Sequence, residues 1–334
     1  MSLDEELSRP TPALLHDLRS LEGPLIILGA GGKMGPTLAR MARRSLAQLG
    51  LSHEVIAVSR FSDGTVRSAL EEQGVRTVAC DLFERAAVHA LPDAPDVVYM
   101  VGQKFGTSED AGRTWAANAY VPGVVAERYR GSRIVAFSTG NVYPLTPVAG
   151  EGPDEATTPG PVGEYAQSAL ARERVLEFFS RRHQTRMAIL RLNYAVEPRY
   201  GVLRDLADQV QAGVPVDVAM GWVNVIWQRD ANEIALRCLG RCQTPPFILN
   251  VTGRPALRVR WLAEQFARRF GVDARFRGEE AATALLSNAR LLEQLFGPPP
   301  TGVDEMIDRV AEWVKTGGES LGKPTHFEMR EGRY

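Results

Sequence analysis

The chain has 334 residues, of which 44% are hydrophobic and 24% charged, and its formal net charge is −1. These values are ordinary for a soluble globular enzyme with a sizeable core, and the near-neutral balance offers no general attraction to nucleic acid or to an anionic membrane. The three cysteines, Cys80, Cys238 and Cys242, and five scattered histidines build neither a disulfide framework nor a metal site, which fits a reducing cytoplasm.

The residues before Gly23 hold early acids and no long apolar run, so they predict one surface helix rather than a signal peptide. No stretch approaches the ~18–20 apolar residues of a membrane span. From Pro24 onward, Val- and Ile-rich runs alternate with amphipathic stretches. PLIILGA (24–30), HEVIAVSR (53–60), VRTVACD (75–81), DVVYMVG (96–102), RIVAFST (133–139), RMAILRL (186–192) and PFILNV (246–251) predict strands. Near-continuous apolar runs suit strands covered on both faces, and GPTLARMARRSLAQLG and SALARERVLEFFSRRH supply helices between them. This alternation predicts an α/β fold with a Rossmann-type, doubly wound parallel sheet. The pattern loosens after about Asn193. Helices in RDLADQVQAG, RWLAEQFARRFG and VDEMIDRVAEWVKTG, with Pro-rich loops between them, predict a smaller C-terminal α/β substrate lobe. The expected division is a dinucleotide-binding domain over 1–192, rejoined by about 225–252, and a substrate lobe with C-terminal tail over 193–224 and 253–334.

ILGAGGKMGPTLAR follows the first strand and opens a helix, with Gly29, Gly32 and Gly35 in a G-x-x-G-x-x-G pattern. Glycine permits the tight turn and lets a pyrophosphate approach the backbone, while the helix aims N–H groups and its positive dipole end at that anion. The strand, turn and helix context therefore predicts dinucleotide binding, with Lys33 and Met34 inside the turn. Ser59 and Arg60 end the second strand, with Asp63 shortly after. A serine beside a cation suits a 2′-phosphate better than a 2′-hydroxyl, so NADP is favoured over NAD. Asp81 and Leu82, after the third strand, are candidates for the adenine, and Gly102 for the loop after the fourth.

Together these segments resemble the extended short-chain dehydrogenase/reductase family, the NAD-dependent epimerase/dehydratase group, over about Pro24 to Lys315. GAGGKMG is similar to its glycine turn. AFSTGNVYP is similar to the motif with the catalytic Ser or Thr, here Thr139. EYAQSALARE is similar to Y-x-x-S-K-x-x-x-E, which implies Tyr165 as the catalytic tyrosine. LRLNYAVEP resembles the substrate-bordering R-x-x-N segment and implies Asn193. NAYVPGVV resembles a cofactor-side helix start and implies Asn118. The resemblance further implies hydride exchange with a nicotinamide, a sugar or nucleotide-sugar substrate, and a homodimer.

Two positions depart from the pattern. The motif's lysine, four residues after Tyr165, is replaced by Ala169. A free tyrosine has a pKa of about 10, too high for an efficient base near neutrality, and a lysine one turn on would lower it. Lys104, just beyond the fourth strand, is a candidate replacement for that charge. In nucleotide-sugar members an arginine that binds the diphosphate precedes the aspartate matched by Asp230, but Val223 stands there, leaving Arg199 or Arg229 to act from another direction. Trp222 is a candidate pocket wall. Two readings follow: an NAD(P)-binding epimerase/dehydratase-like oxidoreductase with an incomplete triad, or a catalytically silent dinucleotide-binding sensor or partner subunit.

Overall fold

The structure, a computed structural model, describes residues 2–332; Met1 and the last two residues of the expected C-terminal tail, 333 and 334, lie outside the described residues. All seven expected strands form: β1 (Leu25–Leu28), β2 (Val55–Ser59), β3 (Arg76–Ala79), β4 (Asp96–Tyr99), β5 (Arg133–Thr139), β6 (Met187–Leu192) and β7 (Phe247–Val251). They make one seven-stranded parallel sheet in the order β7-β6-β5-β4-β1-β2-β3. The sequence of strands reverses direction across the sheet at β1 and β4, which pair in register from Leu25↔Asp96 to Leu28↔Tyr99. The helices that follow are α1 (Leu3–Leu7), α2 (Pro12–Leu18), α3 (Gly35–Gln48), α4 (Gly64–Glu71), α5 (Arg85–His89), α6 (Ala111–Trp115), α7 (Val121–Arg128) and α8 (Gly163–His183).

The strands are apolar on both sides because both sides are covered. Ile26, Leu28, Val97, Tyr99, Ile134 and Ala136 project into one cluster with Val88 of α5, Val121 and Val125 of α7, and Leu176 of α8. The alternate residues, Leu25, Ile27, Val55, Ala57, Val98 and Val135, are equally buried on the opposite face. The N-terminal segment differs from the single surface helix expected. It forms two helices, α1 and α2, capped by Ser2 and Thr11, and buries Leu7, Leu14 and Leu18 completely or nearly so. The apolar spacing was too short to reveal this, since neither helix exceeds two turns.

The chain divides into two compact units. The first comprises Met1–Ser138, Gln167–Arg191 and Asn232–Leu249; the second comprises Thr139–Ala166, Leu192–Ala231 and Asn250–Tyr334. In the second unit α9 (Val202–Gln211), α11 (Val259–Phe270) and α13 (Val303–Lys315) pack on one another. The chain also forms α10 (Gln228–Arg237) and α12 (Arg290–Phe296). Four two-residue strand pairs knit the second unit's loops, among them Trp222–Val223 with Leu257–Arg258 and Thr146–Pro147 with Thr283–Ala284. Beyond α13 the chain runs without regular structure but is tied down. Arg204 donates to the Gly318 and Glu319 carbonyls, Thr325 binds Asp205, and Arg330 binds the Thr283 carbonyl at 2.6 Å.

Candidate dinucleotide and proton-transfer sites

In the first unit, the turn between β1 and α3 is built by its glycines. Gly29 has φ +89°, a conformation side chains rarely adopt. A Cβ on Gly35 would lie 2.4 Å from the Ala30 carbonyl oxygen, so only glycine lets α3 start this close to β1. At Gly32 a Cβ would meet nothing nearer than the Gly29 oxygen at 3.4 Å, which leaves the backbone open to a ligand from above. No side chain among the described residues caps the start of α3, and Pro36 occupies its first turn. An uncapped helix start behind a bare glycine turn suits a pyrophosphate, so the residues present fit a dinucleotide.

Ser59 ends β2 and Arg60 is exposed beside it, with no hydrogen bond or ion pair to other described residues. Asp63 is already employed. Its carboxylate caps α4, accepting from the Thr65 hydroxyl at 2.6 Å and the Thr65 N–H at 2.9 Å, and these bonds hold it below the usual carboxylate range. Asp81 follows β3, and its carboxylate accepts from the Phe83 N–H at 3.1 Å, while Leu82 is buried. Lys104 sits in the loop after β4. Its Nζ lies 5.6 Å from the Phe105 ring centroid, and Lys33 reaches the same ring at 4.5 Å. Two of the chain's four lysines thus approach one aromatic ring.

Asn118 lies within a π-helical turn, Ala116–Tyr120, and is fully buried. Its Oδ1 accepts from the Gln103 N–H at 3.0 Å and from Arg172 at 2.6 Å. Its Nδ2 donates to the Gln103 carbonyl and to Ser168 Oγ, each at 2.9 Å. Asn118 therefore fixes the loop beginning at Gly102 and ties it to α8. Two other members of the tyrosine-helix motif prove to be anchors. Glu173, 2% exposed, receives the Arg191 guanidinium at 2.7 Å and the Ser138 hydroxyl at 2.6 Å, clamping α8 to β5 and β6. Ser168 is the second. Arg172, between them, does not stand out in the sequence because it is one of many arginines in this chain.

In the second unit, Thr139 caps a short 3-10 turn, Gly140–Val142, and its Oγ1 lies 3.0 Å from Asn141 Oδ1. Tyr165 is half-buried in the first turn of α8. Burial pushes the nearby Tyr200 hydroxyl well above its ordinary pKa, and Asp205 and Tyr165 add to that shift. Asn193 is 2% exposed and borders Gly140, where a Cβ would come within 3.2 Å of it. Its Nδ2, and the Ser287 Oγ that also borders Gly140, lack hydrogen-bond partners among the described residues. Arg199 is bound to the buried Glu197 at 3.1 Å, and Arg229 pairs with Asp230, also at 3.1 Å. Val223 is fully buried. Trp222 lines a shallow cleft of 510 Å³ with Trp261, Arg258 and Arg260, and none of Thr139, Tyr165, Asn193 or Arg199 lines it. Ala169, one turn beyond Tyr165, is fully buried.

The described residues contain no group of His, Cys, Asp or Glu able to hold a metal ion, and no helix among them is long and apolar enough to cross a membrane. A family model described as NAD dependent epimerase/dehydratase matches residues 25–220. No curated protein matches the chain. Among solved structures, the chain is similar to UDP-glucose 4-epimerase of Thermus thermophilus complexed with NAD, at 20% identity and TM-score 0.72, covering 87% of this chain and 99% of that one. UDP-glucuronic acid 4-epimerase of Bacillus cereus, complexed with UDP-glucuronic acid and NAD, matches at 13% identity and TM-score 0.74, covering 88% and 99%. UDP-glucose 4-epimerase of Thermotoga maritima with UDP-glucose matches at 16% and 0.72, covering 88% and 99%.

Proposed function

The chain belongs to the NAD dependent epimerase/dehydratase family, and from that premise we propose that it is an oxidoreductase that binds a nicotinamide dinucleotide and acts on a sugar or related hydroxy or carbonyl compound. The observation that carries this reading is the glycine turn, open at Gly32 and followed by an uncapped helix start. Gly29, Gly32 and Gly35, with the backbone at Lys33 and Met34, would hold the pyrophosphate. Ser59 and Arg60 would hold the adenosine ribose, Asp81 and Leu82 the adenine, and Gly102, fixed by Asn118, the loop over the other half. NADP is favoured over NAD because the acid that follows β2 in sequence, Asp63, is consumed in capping α4, whereas Arg60 has no other partner among the described residues.

The cofactor, when bound, supplies hydride chemistry. Tyr165 exchanges a proton with the reacting oxygen of the substrate, and Thr139 orients that oxygen by hydrogen bonding. Asn193 borders the substrate. With Arg199 engaged by Glu197 and Arg229 by Asp230, and with valine at 223, neither of the two arginines nominated for a diphosphate is uncommitted. A sugar, a uronate or another small carbonyl compound is therefore a better candidate than a nucleotide sugar. A cytoplasmic homodimer is part of the same reading.

The burial of Ala169 favours a second reading, a silent dinucleotide-binding sensor or partner subunit, because no cation stands one turn after Tyr165. Fluorescence titration with NADPH and NADH tests what the two readings share. Saturable binding, tighter for NADPH, is expected, and no signal from either sinks both. Tyr165→Phe, assayed on a substrate found by screening, should lower turnover by about 10²–10⁴-fold; unchanged turnover excludes Tyr165 as the proton-transfer residue, and a wild type that binds the dinucleotide but turns over no substrate supports the silent reading.

A further inference from the structure

Arg172 stands three residues after Ala169 on α8 and is 6% exposed. Nη1 donates to the Phe137 carbonyl at 2.7 Å, Nη2 donates to Asn118 Oδ1 at 2.6 Å, and Nε donates to nothing. Among the described residues no carboxylate pairs with it. The adjacent Glu173 is taken by Arg191 and Ser138. A guanidinium removed from water and given only neutral acceptors keeps an uncompensated charge, and burial without a counter-ion is costly unless function uses it.

The position of that charge is specific. Its Cζ lies 5.9 Å from the Tyr99 ring centroid at the end of β4, and its Nη1 holds a carbonyl near the end of β5. A Cβ on Gly102 would lie 2.7 Å from Nη2, so the guanidinium sits directly under the exposed Gly102. A dinucleotide in a doubly wound sheet straddles the point where strand order reverses, here between β1 and β4. With the adenosine half on the β2 side, by Ser59 and Arg60, the nicotinamide half falls on the β4 and β5 side.

We propose that Arg172 is a positioning residue that holds a fixed positive charge beneath the nicotinamide half of the bound dinucleotide and so selects the reduced cofactor over the oxidised one. The oxidised nicotinamide ring is a cation and the reduced ring is neutral; the two forms otherwise share every group. A buried guanidinium repels only the first, and low dielectric strengthens that repulsion. Lys33 and Lys104, gathered on Phe105, add charge of the same sign to this unit. A site poised with reduced cofactor meets a carbonyl substrate rather than an alcohol, which narrows the substrate class. The inference rests on the cofactor reading above.

The test compares dissociation constants for NADPH and NADP+, and for NADH and NAD+, by fluorescence titration and competition. Wild type should bind the reduced form about tenfold or more tightly. Arg172→Gln, which keeps donors but removes charge, should narrow that ratio by about tenfold, while Arg172→Lys should preserve it. Asn118→Asp sets a carboxylate against the guanidinium with Arg172 still in place and should narrow the ratio too, which covers the case that Arg172→Gln fails to fold. A ratio unchanged within about twofold in Asn118→Asp and in any folded Arg172→Gln overturns the inference and leaves the cofactor reading standing. A ratio altered equally by Lys and Gln also overturns it, because geometry rather than charge would then be responsible. If wild type binds neither form, the cofactor reading itself falls.

Discussion

Gly35 separates the roles that a glycine pattern leaves merged. Its missing Cβ is a packing requirement, because the atom would strike the Ala30 backbone at 2.4 Å and 2.6 Å, where nothing can rotate away. At Gly31 the same atom would meet the Ser59 hydroxyl at 2.5 Å, a side chain that can turn aside. Gly35→Ala should therefore cost about 1–3 kcal/mol of stability and weaken dinucleotide binding at least about tenfold. Gly31→Ala should be milder in both respects, as melting and titration will show; equal effects would mean that the turn tolerates neither. The G-x-x-G-x-x-G spacing was legible in the sequence because strand, turn and helix are local. Arg172 was not. Its meaning depends on Phe137, Asn118 and Gly102, which the fold gathers from three separate segments.

At the scale of elements, the seven sheet strands were readable because burial on both faces leaves runs of Val and Ile that no other element requires. The two-residue strand pairs of the second unit carry no periodicity and could be found only in three dimensions. The same holds for the segment after α13, whose order comes from side chains anchored elsewhere. Asp205 of α9 accepts from both the N–H and the hydroxyl of Thr325, yet burial raises its pKa, with Glu328 and Asp208 adding to the shift and the Thr325 bonds opposing it. A carboxyl whose folded pKa is raised favours folding while protonated. That contribution is present below its unfolded value and is lost as pH rises through the folded one. The melting temperature of wild type minus that of Asp205→Asn should thus be larger at about pH 5 than at about pH 8. The opposite order would mean that the Thr325 bonds outweigh burial.

For the whole molecule, the order of motifs marked the family to which the chain belongs. The expected homodimer is tested by the surface of α8. Phe178 is 54% exposed there, edge-on to Phe179 at 5.3 Å and under the Arg182 guanidinium at 5.8 Å. If two copies associate through this helix, Phe178→Glu should convert a sedimenting dimer to monomer while leaving dinucleotide affinity within about twofold. A wild-type monomer would end the dimer proposal. The second unit also has a consequence in time. It is assembled from segments that leave the ribosome far apart, and a Cβ on Gly163, at the start of the tyrosine helix, would collide with the backbone of Gly332. The sheet strands through β7 can form during synthesis. The start of the tyrosine helix, by contrast, gains its contact with Gly332 only when the last residues emerge, so a chaperone that meets the nascent chain would find Gly163 still uncovered.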